Sequence, residues 1–397
     1  MASATMTAVD SALKILYPDS AYRRIAYKNH PLLAMVPKNK NFVGKSVEFP
    51  IRYGGNQGRS RTLANAQAQK TAGLYTGFFL TSVKDYAETD IDTEVILASA
   101  SNQGAFVNLL KEEIDGMLRA MSNNLATSLY RNSGGARGQV SAVGGGQLTL
   151  TNPGDVVNFE VGMELVNSTT DGTSGAVGSA DQVITKVDRR AGKITPAATT
   201  NFSANDFLFV KGDFGISVSG LPAWVPNATP AATAFFGVDR TVDTRLYGQY
   251  VDGSSMTISE AFELADTIIA REGGKASHIF ANPIDINRWR VSLESQVIYD
   301  KVKSPDEVSV AFQSIVLQGM GGPIMVVSDP DCPQGLAYML TLDEWELLSR
   351  KEPVHIFDED GLRVLRGAST DGVTARGVSY VQLGCHAPVW NAQILLP

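Results

Sequence analysis

The residue types that most often carry chemistry are few in this sequence and stand far apart. The four histidines are His30, His278, His355 and His386. None has a second histidine, a cysteine or a carboxylate at the spacing of metal ligands. The two cysteines are Cys332 and Cys385, and Cys385 directly precedes His386. Because adjacent residues of a strand point to opposite faces, we expect packed, inert cysteines and no catalytic dyad.

Two short motifs resemble ligand sites but lack what those sites require. Gly319-Met-Gly-Gly322 leads into a strand pattern, and it has neither the lysine of a phosphate loop nor the spacing of a dinucleotide fingerprint. Asp358-Glu-Asp360 precedes a glycine, but three consecutive acids do not match a calcium loop. We interpret both as turns. The sequence thus predicts no catalytic site, no metal and no cofactor, and a protein that is not an enzyme.

Composition limits the partners. The chain has 397 residues, 44% of them hydrophobic, with a net charge of −7 and a pI of about 5.3. Such a chain is not drawn as a whole to DNA or to an anionic membrane, so we expect only weak, non-specific contact with nucleic acid. Two cysteines favour a reducing compartment, and we find neither a secretory signal nor a membrane-spanning stretch. We expect a soluble protein made in a cytoplasm.

The first part of the chain is predicted to form an arm and an extended hairpin. Prolines interrupt residues 1–41, which we interpret as an arm. Residues 47–53 alternate apolar and polar side chains, as a half-buried strand does, and a second strand pattern covers 74–83. The connection, 54–73, has four glycines and one large apolar residue, Leu63. The range 42–90 is therefore predicted to be an extended hairpin loop without a core of its own.

The charges of this loop are uneven. From 49 to 84 there is no acidic residue, and the basic residues are Arg52, Arg59, Arg61, Lys70 and Lys84. An acidic run follows directly, with Asp85, Glu88, Asp90, Asp92 and Glu94. One interpretation is two solvated faces. The other is a basic arm that docks on the acidic surface of a neighbouring copy, which makes these ten residues candidates for intersubunit contact.

The rest of the chain divides into four parts. Apolar residues at a spacing of three or four predict a helix over 102–131, on the order of 45 Å long, within a peripheral domain of 91–137. Residues 138–213 carry short strand patterns and are predicted to be a β-rich insertion domain. Mixed α/β signals cover 214–346, including a capping box at Thr257-Ile-Ser-Glu260. Strand patterns fill 347–397.

This order of elements resembles the major capsid proteins of tailed bacteriophages with the Hong Kong 97-type fold. That α+β fold has an N-terminal arm, an extended loop, a long spine helix, a peripheral β-rich domain and an axial α/β domain. The resemblance assigns 214–346 to the axial domain and 347–397 to the peripheral domain, and the β-rich insertion is extra. It implies pentamers and hexamers of this chain in an icosahedral shell around double-stranded DNA, hence a virion protein. Separate scaffolding, portal or decoration proteins would be its partners.

Some members of that family join a loop lysine to an asparagine of a neighbour. Lys70 and Asn391 are available by residue type, without an alignment that pairs them. Two other functions stay open. One is an encapsulin-like nanocompartment shell that encloses protein cargo, and the other is a carbohydrate-binding, tail-associated phage protein with 138–213 as its binding module.

Overall fold

The described residues are those of a computed structural model, and they comprise 30–92, 103–293, 299–301, 313–358, 364–366 and 372–397. Most of the predicted arm, 1–29, lies outside them, and so does Glu94. The helices of the described chain are α1 (Pro31–Met35), α2 (Leu63–Ala68), α3 (Gln103–Leu129), α4 (Leu221–Trp224), α5 (Ile258–Arg271) and α6 (Pro283–Leu293).

The strands are numbered in chain order. In the first half they are β1 (Lys38–Asn39), β2 (Val47–Gly54), β3 (Leu74–Leu80), β4 (Val83–Asp92), β5 (Gly138–Gly144), β6 (Gln147–Leu150), β7 (Glu164–Ser168), β8 (Asp181–Asp188), β9 (Lys193–Pro196) and β10 (Phe207–Val210). In the second half they are β11 (Gln249–Asp252), β12 (His278–Ala281), β13 (Tyr299–Lys301), β14 (Gln313–Gly319), β15 (Gly322–Ser328), β16 (Leu336–Leu340), β17 (Trp345–Ser349), β18 (His355–Ile356), β19 (Val364–Arg366), β20 (Gly372–Cys385) and β21 (Ala392–Leu395).

The long helix α3 matches the predicted apolar stripe. Ile114, Met117, Met121 and Leu125, which belong to that stripe, are buried along one side of it. That side packs on β20, where a Cβ added to Gly377 would lie 2.5 Å from the sulfur of Met121. A glycine at this strand position therefore lets the helix lie close against the sheet.

β20 organises a six-stranded sheet in the order β1-β17-β20-β18, and β4 and β19 also pair with β20. β4 runs antiparallel to β20 from Val83 to Asp92. The predicted loop of 42–90 is therefore divided, because its last residues belong to this sheet. The hairpin proper is β2, β3 and their connection. The 14-residue strand β20 offers backbone partners along its whole length. The local sequence pattern of residues 83–92 does not reveal that they pair with this distant strand.

The predicted insertion, 138–213, contains a closed barrel with the strand order β10-β5-β6-β9-β8-β7. Its interior is a separate apolar cluster in which Val140, Leu148, Phe159, Ile194 and Leu208 are fully buried. Closure leaves the barrel without free strand edges, and the alternating strand patterns of the sequence supply the inward-facing residues.

The third unit is a seven-stranded sheet in the order β11-β21-β16-β12-β15-β14-β13. Its two faces are both covered. Ile279 and Ala281 pack with α5 and α6, while Phe280 between them packs in the cluster that contains α3. The predicted capping box is present at the start of α5, where the Thr257 hydroxyl accepts a hydrogen bond from the Glu260 N–H at 3.3 Å.

The C-terminal range, predicted as one set of peripheral strands over 347–397, is also divided. β20 lies in the six-stranded sheet, whereas β21 pairs with β11 and β16 in the seven-stranded sheet. The apolar residues Ala392 and Ile394 are fully buried there. The last strand thus lies between β11 and β16, and both of these partners are remote from it in sequence.

Candidate intersubunit surfaces

The base of the hairpin is anchored in the core. On β2 the alternation buries Phe49 and Ile51, and on β3 Phe78 and Leu80 are fully buried. The ring of Phe49 stacks on His386 with centroids 4.0 Å apart, and Phe78 meets Trp224 edge-on at 5.1 Å. The Phe79 N–H donates to the Phe236 carbonyl at 2.9 Å. The direction in which the hairpin leaves the subunit is therefore fixed by packing.

Beyond this base the hairpin has no core. No residue from 52 to 77 is buried, and α2 has no buried residue. Leu63 and Tyr75 keep 74% and 68% of their surface exposed. The hydrogen bond from the Gln57 N–H to the Thr71 hydroxyl, at 2.8 Å, holds the two sides of the connection together. Local polar contacts alone hold the tip, because it buries too little apolar area to be stable by itself.

The basic candidates of the hairpin differ in how they are held. The Arg52 guanidinium lies 5.7 Å from the Tyr75 ring centroid and donates to Asn56 at 3.4 Å. Arg59, Arg61 and Lys70 are exposed, and within the described residues none of them forms an ion pair. These three cations are free to meet a partner surface, and their intersubunit role stays a prediction.

The remaining basic candidate and the acidic candidates lie on or after β4. Lys84, Glu88 and Asp90 are exposed. Glu88 pairs with Arg376 at 2.6 Å, and Asp90 accepts from the Thr374 hydroxyl at 2.5 Å. Two of the acidic candidates, Glu88 and Asp90, thus already bind side chains of β20 in the same chain. Asp92 ends β4, and Glu94 lies outside the described residues, so a docking role of this face also stays a prediction.

Asp85 differs from the other acids because it points into a polar junction. It accepts a hydrogen bond from Asn124 of α3 at 2.8 Å, and Asn124 accepts one from Arg137 at 2.5 Å. Arg137 also lies 3.3 Å from Asp213. Burial raises the pKa of both Asp85 and Asp213, while the charge of Arg137 opposes this shift. Asp85 therefore belongs to the connection between α3, β4 and the barrel.

A second buried polar cluster fastens the segment that starts at His30. Asp329, after β15, accepts from the Tyr130 hydroxyl at 2.8 Å and from the Leu32 N–H at 3.0 Å. His30 places Nδ1 2.6 Å from Asp331 and Nε2 2.9 Å from the amide oxygen of Asn123. Two oxygen acceptors favour an imidazolium, which donates from both nitrogens. We call these five side chains the arm latch.

The pKa values of the arm latch reflect its burial. Burial raises the pKa of Asp329 to about 6, and the nearby Asp331 charge adds to the shift. Burial lowers the pKa of His30, but the hydrogen bond and the charge of Asp331 outweigh it, so that pKa is raised overall. Both shifts favour the protonated forms in the folded subunit.

The cysteines and histidines of the sequence analysis have structural surroundings. Cys332 and Cys385 are fully buried, and burial raises the pKa of both thiols, which disfavours the reactive thiolate. His386 points away from Cys385 toward Phe49. Burial lowers the pKa of His278, whose Nδ1 lies 2.9 Å from the Ser277 hydroxyl. No group of three metal-binding side chains occurs within the described residues.

Asn391 is not placed to be joined to a lysine of another copy. It is fully buried, its amide oxygen accepts from the Thr341 N–H at 2.9 Å and from the Trp345 indole at 2.8 Å, and its NH₂ donates to the Ala387 carbonyl. The structure thus gives Asn391 a buried position with its amide fully hydrogen-bonded inside the subunit, so availability by residue type alone does not make it a partner of Lys70.

Of three comparisons with known proteins, the one with solved structures gives matches. No protein-family model and no curated sequence matches the chain. Among solved structures, a chain of the cyanophage A-1(L) capsid asymmetric unit has a TM-score of 0.54 at 14% identity, covering 94% of this chain and 92% of that one. A chain of Mycobacterium phage Bobi scores 0.44 at 11% identity, covering 93% and 91%. The SrpI encapsulin of Synechococcus elongatus scores 0.45 at 8% identity, covering 92% and 86%.

No helix in the described part of the chain has the length and apolar character to cross a membrane.

Of the three TM-scores, the first alone is high enough to support a shared fold. This mixed α+β chain therefore has the fold of the cyanophage A-1(L) capsid chain.

Proposed function

We propose that this chain is the major capsid protein of a tailed phage and that its copies assemble into a closed icosahedral shell around double-stranded DNA. The shared fold with a phage capsid chain supports this reading. The observation that carries it in this chain is the hairpin, which has an anchored base and no buried residue from 52 to 77. Such an element gains order from a partner surface, and another copy is the partner always present during assembly.

In this proposal the six-stranded sheet with α3 is the peripheral domain and the seven-stranded sheet is the axial domain of pentamers and hexamers. The hairpin lies over a neighbouring copy, with Arg59, Arg61 and Lys70 meeting carboxylates there. Many weak contacts of this kind add up in a closed shell through multivalency. Scaffolding, portal and decoration proteins are further partners, and contact with packaged DNA is weak and non-specific. The functional location is the virion.

Electron microscopy of the purified, full-length protein tests the proposal. We expect closed particles with pentameric and hexameric units. Monomers or small rings at concentrations where capsid proteins assemble would contradict it. The contents of particles from the native source separate a phage head from a cargo shell, because nucleic acid supports the first and an enclosed enzyme the second.

A further inference from the structure

A large cleft lies where the C-terminal end of α3, the barrel and the seven-stranded sheet meet. It has a volume of about 890 Å³, within the range of ~300–1,000 Å³ that ligand sites occupy. Its wall is rich in amide and hydroxyl side chains from the barrel, from the segment after α4 and from the turn before β16, namely Gln139, Thr151, Asn152, Asn227, Thr233 and Gln334. Amides and hydroxyls both donate and accept hydrogen bonds, so they suit a peptide backbone as well as a small polar molecule.

Arg240 is the unusual residue of this cleft. Only 9% of its surface is exposed, its Nη1 donates to the Ala223 carbonyl at 2.7 Å, and its guanidinium stacks 4.0 Å from the centroid of the Phe235 ring. Its Nε has no hydrogen-bond partner within the described residues, and no carboxylate there pairs with it. Burial lowers its pKa to about 10. Among the described residues, Arg240 is thus a buried cation without a counter-ion.

A second arginine lines the same cleft and shows the usual arrangement. Arg131 lies 2.6 Å from Asp155, and its Nη2 also donates to the Arg137 carbonyl at 3.3 Å. A buried charge is costly unless it is paired, so Arg131 is balanced and Arg240 is not. Nε has no hydrogen-bond partner in either arginine among the described residues, so the two sites differ in the one carboxylate that Arg131 has and Arg240 lacks there.

We infer that this cleft receives a carboxylate-bearing segment of a second copy of the chain and that Arg240 is the cation that this carboxylate meets. The inference rests on the proposed function, because it requires copies to assemble. The chain carries a net charge of −7, so neighbouring copies offer an excess of carboxylates. Asp155 and Asp171 also line the cleft, which disfavours a polyanion such as DNA and favours a single negative charge.

Zero-length cross-linking tests the contact directly. Arg240→Lys places an amine at the same position, and a carbodiimide joins an amine to a touching carboxylate as an amide while its own urea is released. Particles are assembled from a mixture of ¹⁴N- and ¹⁵N-labelled R240K chains, and the cross-linked peptides are identified by mass spectrometry. Arg131→Lys is the matched control, because its amine faces Asp155 of the same chain.

We expect mixed-isotope cross-links from position 240 in particles and none in free subunits, whereas R131K gives the same intrachain link to Asp155 in both. Particles in which position 240 joins only its own chain, or nothing, would overturn the inference and leave the proposed function intact. Failure of the wild-type chain to form particles contradicts the proposed function instead. If inorganic phosphate stabilises the free wild-type subunit and removes the cross-link without reducing particle yield, the cleft is a small-anion site and the inference is wrong.

A measurement on the wild type covers the case in which R240K does not assemble. Hydrogen exchange of the amides from 223 to 240 is compared between free subunits and particles. We expect at least tenfold slower exchange in particles for amides that line the cleft. Equal rates in the two states would overturn the inference without any variant.

Discussion

The hairpin and the barrel both project from the body of the subunit, and they are built in opposite ways. The barrel closes its strands and buries its own apolar cluster, with Phe159 and Leu208 fully inside. The hairpin is anchored by Phe49 and Phe78 but buries nothing from 52 to 77. A segment with its own core is stable within one subunit, whereas a segment without one depends on what it touches.

The two projections also differ in their charges. At the barrel junction, Arg131 and Arg137 are paired with Asp155 and Asp213 of the same chain. On the hairpin, Arg59 and Arg61 are exposed, with no ion-pair partner among the described residues. The arginines at the barrel junction are thus paired within the subunit, whereas these two hairpin arginines are not paired within its described residues.

Excision of the barrel is the largest change. Gly138 of β5 pairs with Leu208 of β10, so the two cut ends are neighbours in an antiparallel ladder, ~5 Å apart, and a two-residue Asn-Gly turn can join them. We expect a soluble subunit that retains both sheets and loses one calorimetric transition. Its melting temperature falls modestly because Arg131 loses Asp155. Insoluble protein after excision would instead make the barrel part of the main core.

A matched pair of truncations compares the two projections at single residues. Phe159→Ala removes a fully buried ring from the barrel, which typically costs ~3–5 kcal/mol. Leu63→Ala on the hairpin removes a side chain that is 74% exposed, so the change should stay within ~0.5 kcal/mol. Denaturant unfolding of both variants measures this contrast. Equal losses would mean that the hairpin has a core in the free subunit.

The arm latch gives the subunit a pH dependence that neither projection should share. The pKa of Asp329 is raised to about 6 and that of His30 is raised as well, so the folded state binds protons more tightly than the unfolded chain. The Asp329 contribution is therefore complete below its ordinary pKa of ~4 and is lost as the pH rises through about 6, whereas the His30 contribution is complete below ~6.5 and is lost above that pH. Hydrogen exchange of residues 32–36 should accelerate as the pH is raised from 4 to 8 after correction for intrinsic rates, with the barrel as internal reference. Asp331→Asn should flatten the part that comes from His30.

Charge reversal on the hairpin has the smallest expected effect on the subunit and a large one on assembly. Arg59→Glu with Arg61→Glu changes two exposed side chains, so the free energy of unfolding should shift by no more than ~0.5 kcal/mol. Particle yield should drop severalfold, as counted by electron microscopy and sedimentation. Arg190→Glu with Arg290→Glu, at two other exposed arginines, is the control because it makes the same change in net charge. Normal yield from the double variant would count against hairpin docking.

Sequence periodicity was enough for the elements that are locally encoded. The stripe of Ile114, Met117 and Met121 predicts α3, and the capping box at Thr257 predicts the start of α5. The coreless connection 54–73 is also evident, because it has one large apolar residue. In each of these cases neighbours in sequence determine the structure.

Pairings between distant residues could not be predicted in this way. β4 pairs with β20 across almost 300 residues, and β21 joins the sheet of β11 and β16. The contact of His30 with Asp331 spans 301 positions. Nothing in the sequence around Arg240 predicts that its side chain is buried. These features arise from the packing of three units, which no local pattern records.

In the proposed function the hairpin is ordered by a neighbouring copy, whereas the barrel is ordered by its own core. Hydrogen exchange of the wild-type chain, measured in free subunits and in assembled particles, tests it most directly. We predict that amides from 54 to 73 exchange fast in the free subunit and are protected at least tenfold in particles, while amides of the buried barrel strands are equally slow in both. Hairpin amides that are already slow in the free subunit, or that stay fast in the particle, would contradict the account.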